Sequence, residues 1–155
     1  MRRHRHHAPP GGPRFWAGVL LVLASAAALA QAPTAGGEPP HPREKTLVKR
    51  VWGVEVLGVR RSTAGRMLEF RYKVIDETKA SPLFVRKTKP VLLHAASGVQ
   101  LNVASFAKVG PLRTTDPPKQ GRIYWMFFEN PGALVKPGDR VSVVIGDFRA
   151  DMLVE

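Results

Sequence analysis

Cysteine is absent from all 155 residues. That excludes disulfides, thiolate metal sites, a cysteine nucleophile and a lipid anchor on a lipobox cysteine. Any folded domain here stands on its apolar core alone. A domain of about 105 residues can do that, whereas chains below about 40 usually cannot. Histidine is scarce as well: beyond residue 30 there are His41 and His94 only. Acidic residues are the third shortage, with 12 Asp and Glu against 24 Lys and Arg and a net charge of +12. Long apolar runs are missing after the first thirty residues, and no phosphate-binding glycine loop is present.

The first thirty residues carry their own signature. Arg2, Arg3, Arg5 and Arg14 form a basic stretch, Phe15 to Leu29 is apolar, and Ala28-Leu29-Ala30 offers small residues for cleavage. This pattern predicts a secretory signal peptide over 1–30, cut after Ala30. An uncleaved anchor is the alternative, but the apolar run is shorter than the roughly 20 residues that span a bilayer. The expected location is the periplasm or the exterior. The mature part would then hold 20 basic and 12 acidic residues, a net charge of +8. An exported protein rarely meets nucleic acid. The expected partners are therefore an envelope protein or an anionic polymer or lipid, with no transmembrane helix in the mature form. A generally solvated basic surface is the plain alternative, because the charges are spread rather than blocked.

Residues 31–45 are rich in Pro, Gly and Ala and read as a flexible linker. A β-rich domain is expected over 46–155. Val54 and Val56 share a face with Trp52, and Glu55 lies opposite, which reads as a strand. Leu68, Phe70, Tyr72 and Val74 alternate with Glu69, Arg71 and Lys73, the clearest period-2 signal in the chain. "STAG" between the two runs predicts an antiparallel hairpin. Residues 77–90 break the pattern and read as a crossing loop with at most one helical turn. Val91–His94 and Val99–Val103 form a second predicted hairpin about Ala96-Ser97-Gly98. Another Pro-containing loop follows, then strands at "RIYWMFFEN" and "RVSVVIGDF", and a last one at "RADMLV". About seven strands and no convincing helix predict a single antiparallel immunoglobulin-like β-sandwich, with a small closed barrel as the alternative.

The strand at 123–128 is apolar on both faces: Tyr124, Met126 and Phe128 on one, Ile123, Trp125 and Phe127 on the other. Core on both sides is the expectation. An exposed aromatic face that binds a partner is the alternative.

Three blocks in order, "WGVEVLGVRRSTAGRMLEFRYKVID", "KVGPLR" and "NPGALVKPGDRVSVVIGDF", make Val51 to about Leu153 similar to an uncharacterised family of small exported bacterial proteins with an immunoglobulin-like domain. The resemblance implies an extracytoplasmic module. It supplies no catalytic residues and no cofactor.

Chemistry is thinly represented. Ser62, Ser81, Ser97, Ser105 and Ser142 lie outside any Gly-x-Ser-x-Gly elbow, and His94 is the one plausible base in the domain. Asp76-Glu77 and Asp147/Asp151 are the nearest carboxylate pairs, and Asp76-Glu77 fits a turn cap better than a glycosidase. No enzyme is expected. A small copper carrier using His94 with Met67, Met126 or Met152 is the second function considered, although strand methionines more often fill a core. The strongest positive feature is a basic loop. Lys79, Arg86, Lys87 and Lys89 surround Leu83, Phe84 and Val85, a plausible docking surface for an acidic partner or lipid headgroups. The expected binding residues are Lys79, Phe84, Arg86, Lys87, Lys89 and Trp125. The plain alternative is a solvated loop that its Leu-Phe pair anchors to the core.

Overall fold

The computed structural model describes residues 42–155. The expected signal peptide at 1–30 and linker residues 31–41 lie outside them. The described chain begins with a helix, α1 (Pro42–Trp52), and continues into β1 (Val54–Ser62). The expectation of linker to residue 45 and strand from 46 is corrected here. Helix signals were present: Pro42 at the start, Glu44 in the first turn, and Lys49 and Arg50 in the last turn, each favourably placed against the helix dipole. Val48 and Trp52, four apart, bring that face inward, and Trp52 meets Phe148 edge-on at 5.7 Å. Leu47 and Val51 stay exposed.

Gly53 ends the helix. Its φ is +60°, its N–H donates to the Lys49 carbonyl at 3.1 Å, and its carbonyl accepts from Ile75 and Asp76. A methyl group there would lie 2.7 Å from Asp76 Cβ and 2.8 Å from the Asp76 carbonyl oxygen. Gly53→Ala is therefore expected to lower stability by about 2 kcal/mol, from left-handed strain plus overpacking. A denaturant midpoint within error of wild type would refute that account.

The rest of the chain is β, and every pairing within its three sheets is antiparallel. β1 pairs with β2 (Met67–Val74), and β2 with β7 (Ile123–Glu129). A second sheet has the order β4 (Gln100–Asn102), β3 (Val91–His94), β8 (Arg140–Ile145), β9 (Phe148–Leu153). A third, two-residue pair joins β5 (Ser105–Phe106) to β6 (Gly110–Pro111). The described strands therefore number nine in three sheets, where about seven were expected. β5 and β6 fall in the stretch read as a loop. Gly146 at φ +59° sits in the turn between β8 and β9, so "RVSVVIGDF" is a strand, a turn and the start of the next strand. The predicted hairpins 54–74 and 91–103 are present.

Isolated bridges join the two large sheets at both margins. Val59 bridges Val154 in parallel, and Val103 bridges Phe128 antiparallel. The core lies between the sheets. Leu68, Phe70, Tyr72 and Val74 point into it as the alternation predicts, and meet Leu92, Val141, Val143 and Phe148 from the other sheet. Tyr72 stacks between Phe70 and Tyr124, at 5.3 and 6.0 Å, and burial pushes its phenol well above the ordinary tyrosine range. Each large side chain so buried contributes about 1.5–3 kcal/mol.

Candidate binding surfaces

Residues 77–90 build a supported platform. A short helical turn, α2 (Glu77–Ala80), is capped by Asp76, whose Oδ1 accepts from the Lys79 N–H at 3.1 Å. A 3-10 turn over Ser81–Phe84 follows, with Pro82 near its start. It drives Leu83 and Phe84 inward, to 1% and 5% exposure. Phe84 packs edge-on against Tyr124 at 4.8 Å and tilts against Tyr72 at 6.1 Å. Phe84 is thus an anchor of the loop, and its ring is out of a partner's reach. That corrects its place among the binding residues.

The chain then turns at once. Thr88 N–H donates to the Val85 carbonyl at 3.1 Å, and Arg113 Nη2 donates to the same oxygen at 2.7 Å. Arg86 and Lys87 are the two central residues of this turn. Both are exposed and make no ion pair among the described residues, and Lys89 is exposed just beyond. Arg113 is half-buried beneath them with Nη1 unpartnered, and burial lowers its pKa despite the Tyr72 hydroxyl nearby. Lys79 stands apart. Its Nζ donates to the Arg50 carbonyl at 3.1 Å, at the negative end of α1, and lies 3.9 Å from Asp76. It ties α2 to α1 and does not join the free cations of the turn.

Trp125 belongs to a different surface. On β7 the inward residues Tyr124, Met126 and Phe128 are buried, while Ile123 and Trp125 are each 43% exposed and Phe127 is half-buried. The expectation of core on both faces is corrected: among the described residues nothing covers the outer face. Trp125 and Phe127 touch, with ring centroids 5.2 Å apart. Across the sheet Lys73 lies opposite Ile123, Arg71 opposite Trp125 and Glu69 opposite Phe127. Glu69 was expected to be wet, yet it is 9% exposed. Arg60 covers it, with Nε 2.6 Å from Oε2, and Arg71 flanks it at 4.0 Å. Hydrogen bonding to Glu69 raises the Arg60 pKa further.

His94 is buried at the end of β3. Its Nδ1 shares a 2.8 Å hydrogen bond with Ser97 Oγ. Its Nε2 lies 3.2 Å from Asp139 Oδ2, within ion-pair reach but out of line for a hydrogen bond. The same Asp139 oxygen accepts from Lys136 N–H at 2.8 Å. The ring therefore pins the 95–99 turn to the 136–139 turn. Among the described residues no three His, Cys, Asp or Glu side chains come together to hold a metal ion. A groove of about 210 Å³ between α1, β1 and β9 is lined by Val48, Leu57 and Met152, with Glu44, Lys45, Asp151 and Glu155 as its charged residues.

Sequence reasoning missed Asn130, which is wholly buried between two loops. Its Nδ2 donates to the Gly65 and Val135 carbonyls, and its Oδ1 accepts from Val135 N–H. Its place directly after the last residue of β7, beside Pro131-Gly132, was the available signal.

The chain matches no protein-family model, no curated protein and no solved structure. Among the described residues no helix is long and apolar enough to cross a membrane.

Proposed function

We propose that this chain is an exported, non-enzymatic binding module that docks an anionic envelope component, a protein or a polymer, through the Arg86-Lys87 turn. The observation that carries the reading is that turn itself. Two adjacent cations without ion-pair partners among the described residues stand on a support fixed by Phe84 and by Arg113. Elsewhere Lys49, Arg60, Arg71, Lys79 and Arg149 each face a carboxylate, while Lys73, Lys108 and Lys119 are, like Arg86 and Lys87, without an ion pair among the described residues but not adjacent to a second such cation. Preorganised charge at a turn loses little freedom on binding, which favours affinity and fast, salt-sensitive encounter. Export rests on the basic, apolar, small-residue order of residues 1–30 and on the resemblance to small exported proteins.

The same proposal includes an immunoglobulin-like sandwich. The strand order supports it. The first, second and fifth long strands (β1, β2, β7) form one sheet, and β4, β3, β8 and β9 form the other. The first and last strands meet in parallel at Val59 and Val154. That distribution follows the Greek-key arrangement of such domains, with 103–113 lying along β7 where a further edge strand would run.

Arg86→Glu with Lys87→Glu tests the docking. The doubly substituted protein is expected to keep its melting temperature within about 2 °C, since surface changes rarely exceed 0.5 kcal/mol. It is expected to lose any salt-releasable partner that wild type retains from the native envelope fraction. Equal retention by both proteins would end this reading.

A further inference from the structure

The outer face of the β1-β2-β7 sheet differs in charge from the rest of the chain. The outward charged residues on its strands are Glu55, Arg60, Glu69, Arg71, Lys73 and Glu129, three of each sign, and the Glu155 carboxylate lies against Gly58 beside Arg60 and Arg71. The whole chain is +12. An apolar row of Ile123, Trp125 and Phe127 crosses this balanced face, with Trp125 and Phe127 in contact. Opposite charges mark the two ends of the row. Lys73 sits beside Ile123 at one end, and Glu129 follows Phe127 at the other. Neither makes an ion pair among the described residues, unlike Glu55, which faces Lys49, and Glu69, which faces Arg60 and Arg71.

A basic partner would meet Arg71 and Lys73, and an acidic one would meet Glu129. A face that carries both signs at opposite ends of an apolar row fits a reversed copy of itself. We infer that this face pairs two copies of the chain about a two-fold axis close to Met126. The axis sets Trp125 of one copy against Phe127 of the other. It sets Ile123, with Lys73 beside it, against the second copy's Glu129. Each contact then occurs twice, as two-fold pairing requires. The face supplies Trp, Phe, Met67 and Arg, the residue types that concentrate at interface centres, while its central carboxylate, Glu69, is already neutralised.

Three strands about 4.8 Å apart and seven residues at about 3.4 Å give a footprint of about 14 by 24 Å. That is below a standard interface, so the dimer is weak and forms with rising concentration. It is independent of the Arg86-Lys87 turn.

Sedimentation equilibrium of the full chain, from micromolar to several hundred micromolar, reads the association. Lys73→Glu and Glu129→Lys, each alone, put like charges together at both ends and are expected to weaken dimerisation at least tenfold. Together they restore opposite charge and are expected to return the constant to within about threefold of wild type. Trp125→Thr is expected to give a monomer, with its melting temperature reported alongside. If that variant fails to fold, the charge series still decides. A monomer throughout the range would overturn the inference. So would association that ignores the single reversals, or a double variant no better than either single one.

Discussion

Asn130→Ala is expected to destabilise the domain by about 4 kcal/mol. The side chain is 0% exposed and closes three hydrogen bonds, to the Gly65 carbonyl at 2.8 Å and to both backbone groups of Val135 at 3.0 and 2.9 Å. Alanine leaves two carbonyls and one N–H in a dry site, and each unsatisfied group costs about 1–3 kcal/mol. The two loops it joins also hold strain: Thr63, Ala64 and Ala133 have φ of 51°, 54° and 50°, a conformation L-residues avoid. Asn130→Asp is expected to be at least as damaging, because a carboxylate would aim its second oxygen at two carbonyl oxygens. Denaturant unfolding measures both variants. A loss below about 1 kcal/mol for alanine would mean that the loops are held by something else.

Asn130 also shows where sequence reading stopped. Its importance depends on Gly65, sixty-five positions away, and no local pattern encodes that contact. Local patterns did carry the hairpins. In β2 the period-2 alternation named the four inward residues, because one buried and one wet face leave an unambiguous trace. In β7 both faces are apolar, so alternation vanishes, and the same residues describe a doubly buried strand or an interface strand. Only the absence of a covering layer among the described residues distinguishes them. Helix α1 was obscured differently. Its inward residues Val48 and Trp52 repeat every four positions and run straight into Val54 and Val56, which repeat every two, so the change of period at Gly53 was lost in one apolar stretch. The basic loop was legible as a charge pattern, but which of its cations stay free was not. Lys79 finds the Arg50 carbonyl twenty-nine residues back, and the tether of Val85 comes from Arg113, twenty-eight residues on.

Phe84→Ala is the second large expected effect, about 3–5 kcal/mol by the usual cost of deleting a buried ring. For a domain of this size that is a fall in melting temperature of about 15 °C. The ring fills the space between Tyr124 and Tyr72 and is 5% exposed, so its removal leaves a cavity that two rigid tyrosines cannot readily close. The functional consequence is separate from the stability loss. Phe84 immediately precedes the turn that carries Arg86 and Lys87, and without its ring the turn is held by buried Leu83, by the Thr88 N–H bond to the Val85 carbonyl and by the Arg113 bond to the same oxygen. Docking is then expected to weaken although both cations remain, because ordering the turn now opposes binding. Amide exchange at Thr88, whose N–H closes the turn on Val85, reads this directly. In Phe84→Ala it is expected to accelerate more than the global destabilisation accounts for, while in the Arg86→Glu, Lys87→Glu protein it stays near wild type. Loss of docking in both proteins, with fast Thr88 exchange in the first alone, would separate the anchor from the charges it presents. Unchanged Thr88 exchange in Phe84→Ala would show that Leu83 and Arg113 fix the turn without the ring.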